Sequence, residues 1–372
     1  MILRRVKHCR MIKGGTPKGR LALPEFLVSL LLIFAAWTAR GCVAGGGPLP
    51  EERGASDSAG TVAVLFTAPD GSVPAGEVAE ELIEAISQAE EQIDVAVYRL
   101  ELEDVAEALV AAQARGVRVR MVTEADYMDE AAVARLQEAN ISVISDSDDP
   151  FMHNKFVVID GLQVWTGSWN WAYSETYRND NNVVILTSSR LAQNYTVEFE
   201  EMFEDRRFGE DSPENTPYPQ LQIGGTLVET IFEPEGDGRT RILELLESAQ
   251  ESIHFMAFSF TDNALAEMLV QQSRAGLAVQ GVVEARNIGD SGADYDSLEQ
   301  AGVDVLLDGN PYVMHHKVFI VDQEVVVTGS YNFTRSAAER NDENLLIIHS
   351  PEVAEHYFEE FQRVYQMAEE VQ

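Results

Sequence analysis

Lysine and cysteine are nearly missing from this 372-residue chain, and each shortage excludes something. Downstream of residue 18 only Lys155 and Lys317 remain, so the chain offers no lysine-rich stripe of the kind that grips a polyanion along its phosphates. Positive charge is scarce altogether: 27 Lys+Arg stand against 62 Asp+Glu, a formal net charge of −35. The acidity reads as adaptation of the whole surface to salt, and a local positive site is still able to survive inside it. Both cysteines, Cys9 and Cys42, lie in the first 42 residues, which excludes a disulfide framework or a thiolate metal centre further on. Beyond that leader no apolar run approaches the roughly 20 residues of a spanning helix. With 45% hydrophobic residues there is enough apolar material for two domain-sized cores.

The leader has a different character. Residues 1–42 carry eight Lys/Arg and a single acid, Glu25, and the basic stretch runs into an apolar segment from Phe26 to Trp37. That order reads as an export signal. Ala39-Arg40-Gly41-Cys42 stands where a bacterial lipoprotein is cleaved and acylated, although Arg40 is a poor residue for such a site. The expectation is an exported protein, periplasmic, in the cell envelope or secreted, with Cys42 as a candidate lipid anchor. Residues 43–60, opening on Gly45-Gly46-Gly47-Pro48, are expected to be a flexible tether.

What the chain does contain is a duplication built around its two surviving lysines. His153-Asn154-Lys155 with Asp160 is matched by His315-His316-Lys317 with Asp322. Thr166-Gly167-Ser168-Trp169-Asn170 is matched by Thr328-Gly329-Ser330-Tyr331-Asn332, and Arg178-Asn179-Asp180-Asn181-Asn182 by Arg340-Asn341-Asp342-Glu343-Asn344. The offset is a constant 162 residues across this block and slips by two upstream, where Glu124 falls opposite Glu284. The repeat is too long for a solenoid or propeller unit and predicts two domains, 61–207 and 226–370, joined by a linker over 208–225.

Within each half, strand signals alternate with helical ones, so the fold class is α/β, a sandwich with a parallel or mixed sheet. Residues two apart on a strand share a face, so His153 points with Lys155 and His315 with Lys317. Asp160 and Asp322, five beyond their lysines, have opposite parity and are read as structural; His316 also turns away. The Gly-Ser-x-Asn turns lead into short helices, where small residues let the backbone approach an anion and Ser and Asn add neutral donors. Each half thus offers an imidazole, an ammonium, a hydroxyl and an amide, half of a phosphate cradle. Glu124 and Glu284 read as satisfied structural acids. Trp169, Trp171, Tyr331 and Phe333 read as core.

At this point the chain resembles the phospholipase D superfamily, in its type with two His-x-Lys motifs per chain, over residues 62 to 370. Its Thr328–Phe333 and Asn341–Asn344 blocks are similar to the bacterial endonuclease and cardiolipin-hydrolase branch, whose chains carry one copy and dimerise. The resemblance implies two tandem α/β/α sandwich domains related by a pseudo-twofold axis. It implies a two-step phosphodiester cleavage that needs no metal or cofactor, in a monomer that holds both motifs. One histidine attacks phosphorus, the other protonates the leaving alcohol and then activates water; His153 is taken as nucleophile and His315 as acid/base. Lys155, Lys317, Asn170 and Asn332 hold the non-bridging oxygens, with Ser168 and Ser330 as further substrate contacts. In this family a downstream carboxylate supports the motif histidine. Glu343 takes that place in the second half, whereas the first half has Asn181, set down as structural. A His315–Glu343 pair is therefore expected to be the more basic one. The substrate implied is a phospholipid at a membrane surface, with nucleic acid as the alternative.

Overall fold

Alternating strand and helix signals become two mixed sheets, one per half. The computed structural model describes residues 56–146, 150–290 and 292–371; the leader, and the expected tether up to residue 55, lie outside the described residues. The first half runs β1 (Ser56–Asp57), β2 (Thr61–Thr67), α1 (Glu77–Gln88), β3 (Gln92–Val97), α2 (Glu103–Arg115), β4 (Arg118–Thr123), α3 (Ala131–Glu138), β5 (Ser142–Ser145), β6 (Lys155–Ile159), β7 (Gln163–Gly167), α4 (Tyr173–Tyr177), β8 (Asn181–Thr187) and α5 (Ser189–Phe203). The second runs β9 (Gln220–Ile223), β10 (Thr226–Glu233), α6 (Gly238–Ser248), β11 (Ser252–Ala257), α7 (Asn263–Ala275), β12 (Ala278–Val283), α8 (Tyr295–Gln300), β13 (Asp304–Leu307), β14 (Lys317–Val321), β15 (Val325–Gly329), α9 (Arg335–Glu339), β16 (Glu343–His349) and α10 (Pro351–Val371).

The first sheet has the order β2-β8-β7-β6-β3-β4-β5, and the second repeats it as β10-β16-β15-β14-β11-β12-β13. In both, the strands joined through helices pair in parallel, and the motif strand pairs antiparallel with its neighbours. The local reasons are ordinary ones. β3 is buried from Ile93 to Val97, apolar apart from Asp94, whose carboxylate is paired with Arg120 at 2.8 Å. α1 buries Val78, Leu82 and Ile86 at helical spacing. α2 stops at Gly116, whose φ of +101° lets its N–H reach back to Ala112 and Gln113 carbonyls.

Three cores result. One lies under α1, α2 and α3, one under α6, α7 and α8, and the third is shared by the halves. This shared layer is built from α5 and α10, with Tyr195 and Phe199 from the first and Tyr357 and Phe361 from the second. Each buried Phe there stabilises by about 1.5–3 kcal/mol, so separating the halves would expose a costly surface. Both halves are α/β/α sandwiches, and residues 52–372 form one compact unit.

Two boundaries differ from expectation. Ser56–Asp57, placed in the tether, form β1 and pair in parallel with Gln222–Ile223 of the second half's sheet. Asp57 is held there by the Ser188 hydroxyl and the Arg190 N–H. Residues 220–223 of the expected linker are a sheet strand, and Tyr218 is fixed to Asn194 by bonds of 2.7 and 2.9 Å in opposite directions. Pro- and Gly-rich composition marked a connection here, but the sheet edge supplied partners for its backbone.

Gly167 and Gly329 close the strands that lead to the site, with φ of +146° and +139°. A Cβ on either would lie 2.2 Å from the carbonyl oxygen of Asn182 or Asn344. Gly329→Ala is therefore expected to destabilise the protein by more than about 3 kcal/mol, combining a disfavoured backbone with a rigid clash. Chemical denaturation measures this, and a loss under 1 kcal/mol would show that the strands part easily.

Candidate active site

The motif strands β6 and β14 begin at Lys155 and Lys317, so each histidine sits two residues ahead of its strand. These approach segments are paired across the halves. His153 N–H donates to Asp342 O (3.0 Å) and Asp342 N–H to Phe151 O (3.0 Å); His315 N–H donates to Asp180 O (2.9 Å) and Asp180 N–H to Val313 O (2.9 Å). The crossing brings the first residue of β16, Glu343, beside His153 and the first residue of β8, Asn181, beside His315.

Side-chain contacts follow the same exchange. His153 Nδ1 lies 2.8 Å from Glu343 Oε2, and His315 Nδ1 lies 2.9 Å from Asn181 Oδ1. The expected His315–Glu343 pair is thus wrong: the carboxylate serves the histidine of the opposite half. Sequence spacing gave the right residue and the wrong partner, because spacing says nothing about chain crossing between halves. Asn181, set down as structural, is a direct partner of a motif histidine. In both pairs the acceptor oxygen fixes the Nδ1–H tautomer, which leaves Nε2 as the free nitrogen.

Each lysine folds back on its own motif. Lys155 Nζ donates to His153 O at 2.7 Å and Lys317 Nζ to His315 O at 2.9 Å. Each ammonium also lies over an aromatic ring, Tyr98 at 5.0 Å and Phe258 at 4.6 Å. The same two rings meet the histidines edge-on, at 5.0 Å for His153 and 4.5 Å for His315. Tyr98 and Phe258 were not anticipated, although they are the next matched positions after the paired segments ending at Val97 and Ala257.

The Gly-Ser-x-Asn residues are more committed than a phosphate-binding role alone would leave them. Ser330 Oγ donates to Glu343 Oε2 (2.6 Å) and accepts Asn344 N–H (2.9 Å). Ser168 Oγ donates to Asn181 Oδ1 (3.0 Å) and accepts Asn182 N–H (3.1 Å). Both hydroxyls are buried and bond the histidines' partners, a role beside the substrate contacts expected of them. Asn170 Nδ2 donates to Glu175 Oε1 at 3.1 Å, and the Oδ1 atoms of Asn170 and Asn332 have no partner among the described residues.

Supporting residues complete the frame. Asp160 and Asp322 sit at the far ends of the motif strands with φ of +54° and +53°. Asp160 accepts the backbone N–H groups of Glu90, Glu91 and Gln92, and Asp322 those of Gln250, Glu251 and Ser252. Glu124 and Glu284 accept the N–H groups of Met152 and Met314, the residues just before the motif histidines. His316 turns away from the site to Glu360 (2.9 Å), with Asn182 at its other nitrogen.

Burial dominates the electrostatics. It pushes His153 down to about 4, partly opposed by Glu343 and reinforced by Lys155. His315 is held well below 6.5, first by burial and then by Lys317, Lys155, His153 and His316. Lys155 falls to about 8 and Lys317 well below 10.5, again through burial first. A cluster of two imidazoles and two strained ammoniums gains most from an anion. Away from it, burial raises Glu124 to about 9, with Asp146 beside it, and Glu233 to about 8. Both carboxyls keep a proton in the folded chain that the unfolded chain loses above about 4.5. At these two carboxyls the folded chain binds more protons than the unfolded one, so the stability they contribute is lost as pH rises from about 5 to 9, while the depressed histidines and lysines contribute with the opposite sign. A melting temperature that falls less, or rises more, across this range in Glu124→Gln than in the native chain is the expected result.

Among the described residues, Glu198, Glu201 and Glu235 have ligand atoms within 4.8 Å of one another. Burial raises all three carboxyls, which makes them a proton-sharing group more than a charged ligand set, and their contact with the motif is Asn154 Nδ2–H donating to Glu198 Oε1 at 3.3 Å. A cleft of about 590 Å³ lined by Asn263, Arg274 and Asp294 likewise holds none of the repeated residues.

Known proteins resemble this chain in sequence and in fold. The family model described as "Cardiolipin synthase, PLD-like domain" matches twice, over residues 82–203 and 242–365. The phospholipase D of Rickettsia prowazekii is 30% identical over 164 residues, 44% of this chain and 80% of that protein. The human mitochondrial cardiolipin hydrolase is 33% identical over 134 residues, 36% of this chain and 53% of its own length. The phosphatidylserine synthase of Haemophilus influenzae, 14% identical, superposes with a TM-score of 0.62 over 82% of this chain and 86% of that one, a likeness of fold.

Proposed function

The chain belongs to the phospholipase D-like domain family, and from that premise we propose that it hydrolyses phospholipid head groups through a phosphohistidine on His153. It is a phosphodiesterase of the phospholipase D type. The observation that carries the mechanism is the pair of histidines from opposite halves, each with Nδ1–H held by an acceptor, over two buried lysines. His153 Nε2 attacks phosphorus, and the bond to the leaving oxygen breaks as His315 gives that oxygen its proton. Glu343 stabilises the positive ring that results, and the lysines stabilise charge on the non-bridging oxygens. His315 then takes a proton from water, water oxygen attacks phosphorus, and the P–N bond breaks to leave a phosphomonoester. An alcohol in place of water gives transfer by the same route.

Three features support a lipid. Relatives at about a third identity are named phospholipase D and cardiolipin hydrolase. Exposed rings cluster on the segments that carry the site: Phe151 two residues ahead of His153, Tyr312 three ahead of His315, and Tyr173 and Tyr177 on α4, with Arg178 between Tyr173 and Tyr312 at 5.3 and 5.2 Å. Such a rim suits a membrane interface. The net charge of −35 opposes a long polyanion. Export, anchoring at Cys42 and a monomeric state belong to the same proposal, and the mass of the mature N-terminus tests the first two.

The deciding experiment gives the full-length chain phosphatidylcholine/phosphatidylethanolamine vesicles and plasmid DNA in parallel, with chelator present and His153→Ala as control. Head-group release lost in the variant is the expected outcome. Plasmid nicking without head-group release would move the substrate to nucleic acid. The pH profile of kcat/KM follows from the free site. His153 must be neutral, so the rate rises with pH through about 4; His315 must be protonated, so the rate falls again as rising pH removes a proton that burial and the neighbouring cations already hold weakly. An acidic optimum is expected.

A further inference from the structure

The duplication breaks at two carboxylate positions inside the site, and the two breaks are reciprocal. The second half has Glu343 at the start of β16 and Ala337 in α9; the first half has Asn181 and Glu175 at the matched positions. Each half therefore brings one carboxylate to the centre, from different places in the repeat. Glu175 Oε2 accepts Asn181 Nδ2–H at 3.0 Å and stands 3.5 Å from His315 Nδ1. Its other oxygen accepts Asn170 Nδ2–H at 3.1 Å, and Oε2 also accepts Asn179 Nδ2–H at 2.9 Å. We propose that Glu175 is the displaced carboxylate of the His315 side, a positioning residue that acts through Asn181 to fix the His315 tautomer and to favour its charged form.

An amide beside an imidazole is ambivalent. Asn181 can offer His315 either an acceptor or a donor, and the two choices select opposite tautomers. Glu175 is an acceptor only, so it claims Nδ2–H and leaves Oδ1 for His315. The backbone carbonyl of residue 175 takes the same amide group at 3.0 Å and strengthens the choice. Charge supplies the second part. His315 faces Lys317, Lys155, His153 and His316, all of which oppose a proton on it, and the edge of Phe258; Glu175 is the anion set against them. Both lysines feel Glu175 as well as Glu343, so two ammoniums are balanced by one carboxylate from each half. Glu343 touches its histidine directly, whereas Glu175 reaches His315 chiefly through an amide.

The inference rests on the phosphodiesterase reading, so its test carries a readout that does not need turnover. The full-length chain, with Glu175→Ala, Glu175→Gln and the swap Glu175→Ala/Asn181→Glu, is assayed on bis(p-nitrophenyl) phosphate across pH. Histidine ring nitrogens are observed in parallel by 15N NMR. Glu175→Ala is expected to lower kcat about 10- to 100-fold, to move the alkaline limb of kcat/KM to lower pH, and to mix the His315 tautomers while His153 keeps its own. Glu175→Gln keeps an acceptor for Asn181, so it should hold the tautomer and still move the limb. The swap rebuilds the arrangement of the other half and should return the limb toward its native place. An alkaline limb and a His315 tautomer unchanged in both folded single variants would overturn the proposal. A native chain that cleaved no phosphodiester would instead sink the functional reading, and the ring nitrogens would still decide the role of Glu175.

Discussion

His153→Ala is expected to lower turnover of any phosphodiester by on the order of 10⁴- to 10⁶-fold, because it removes the nucleophile and leaves His315 in its acid/base role. Its Nε2 is left free by the Nδ1 contact to Glu343, and its depressed proton affinity keeps that nitrogen unprotonated above about pH 4. His315→Ala should behave differently, and the difference depends on the leaving group. With an alkyl head group the first step needs the proton of His315 and fails. With p-nitrophenolate the leaving oxygen needs no proton, so the first step survives and the second stalls without its base. A rapid burst of product, one per protein molecule, followed by a slow phase is the expected trace. Equal loss in both variants on the activated substrate, without a burst, would mean that the histidines do not divide the two roles in this way.

Glu343→Gln carries the next largest effect, on the order of 10³- to 10⁴-fold in kcat, by analogy with amide replacement of a carboxylate that orients a catalytic imidazole. Two causes combine. Glutamine can present an N–H to His153 Nδ1 and force the proton onto Nε2, which removes the nucleophile. It also cannot stabilise the positive ring of the phosphohistidine. Ser330, which donates to the same oxygen at 2.6 Å, would lose its charged acceptor. The trans pairing makes the effect diagnostic: the ring nitrogens of His153 should respond in NMR, and those of His315 should not. A response confined to His315 would mean that the two halves do not exchange their supporting residues.

Much of this site was legible because a duplication makes its own control. Lysine is so rare that two survivors in register identified the cationic centre, and strand parity separated Lys155 and Lys317 from Asp160 and Asp322. Strand and helix order followed from apolar periodicity, and the two sheets repeat that order. What sequence could not carry was pairing between halves. Glu343 reaches His153 because the backbone bonds of Asp342 and Asp180 cross the interface, a long-range event that spacing within one copy never encodes. Ser168 and Ser330 were assigned to substrate because a hydroxyl in a Gly-rich turn suits an anion; burial beside Asn181 and Glu343 uses them inside the protein. Glu175 was passed over because only matched positions were weighed, and its signal was the mismatch with Ala337. The ends of the tether and linker were read as loose from composition, yet β1 and β9 are held by sheet pairing.

The central claim is that two halves make one covalent site with divided roles. Mass spectrometry of His315→Ala, quenched during turnover of bis(p-nitrophenyl) phosphate and digested under alkaline conditions that preserve phosphohistidine, tests it most directly. A p-nitrophenyl phosphoryl adduct on the peptide containing His153, absent from His153→Ala, is the predicted result. No adduct on any histidine, with product still forming, would contradict a covalent mechanism in this protein.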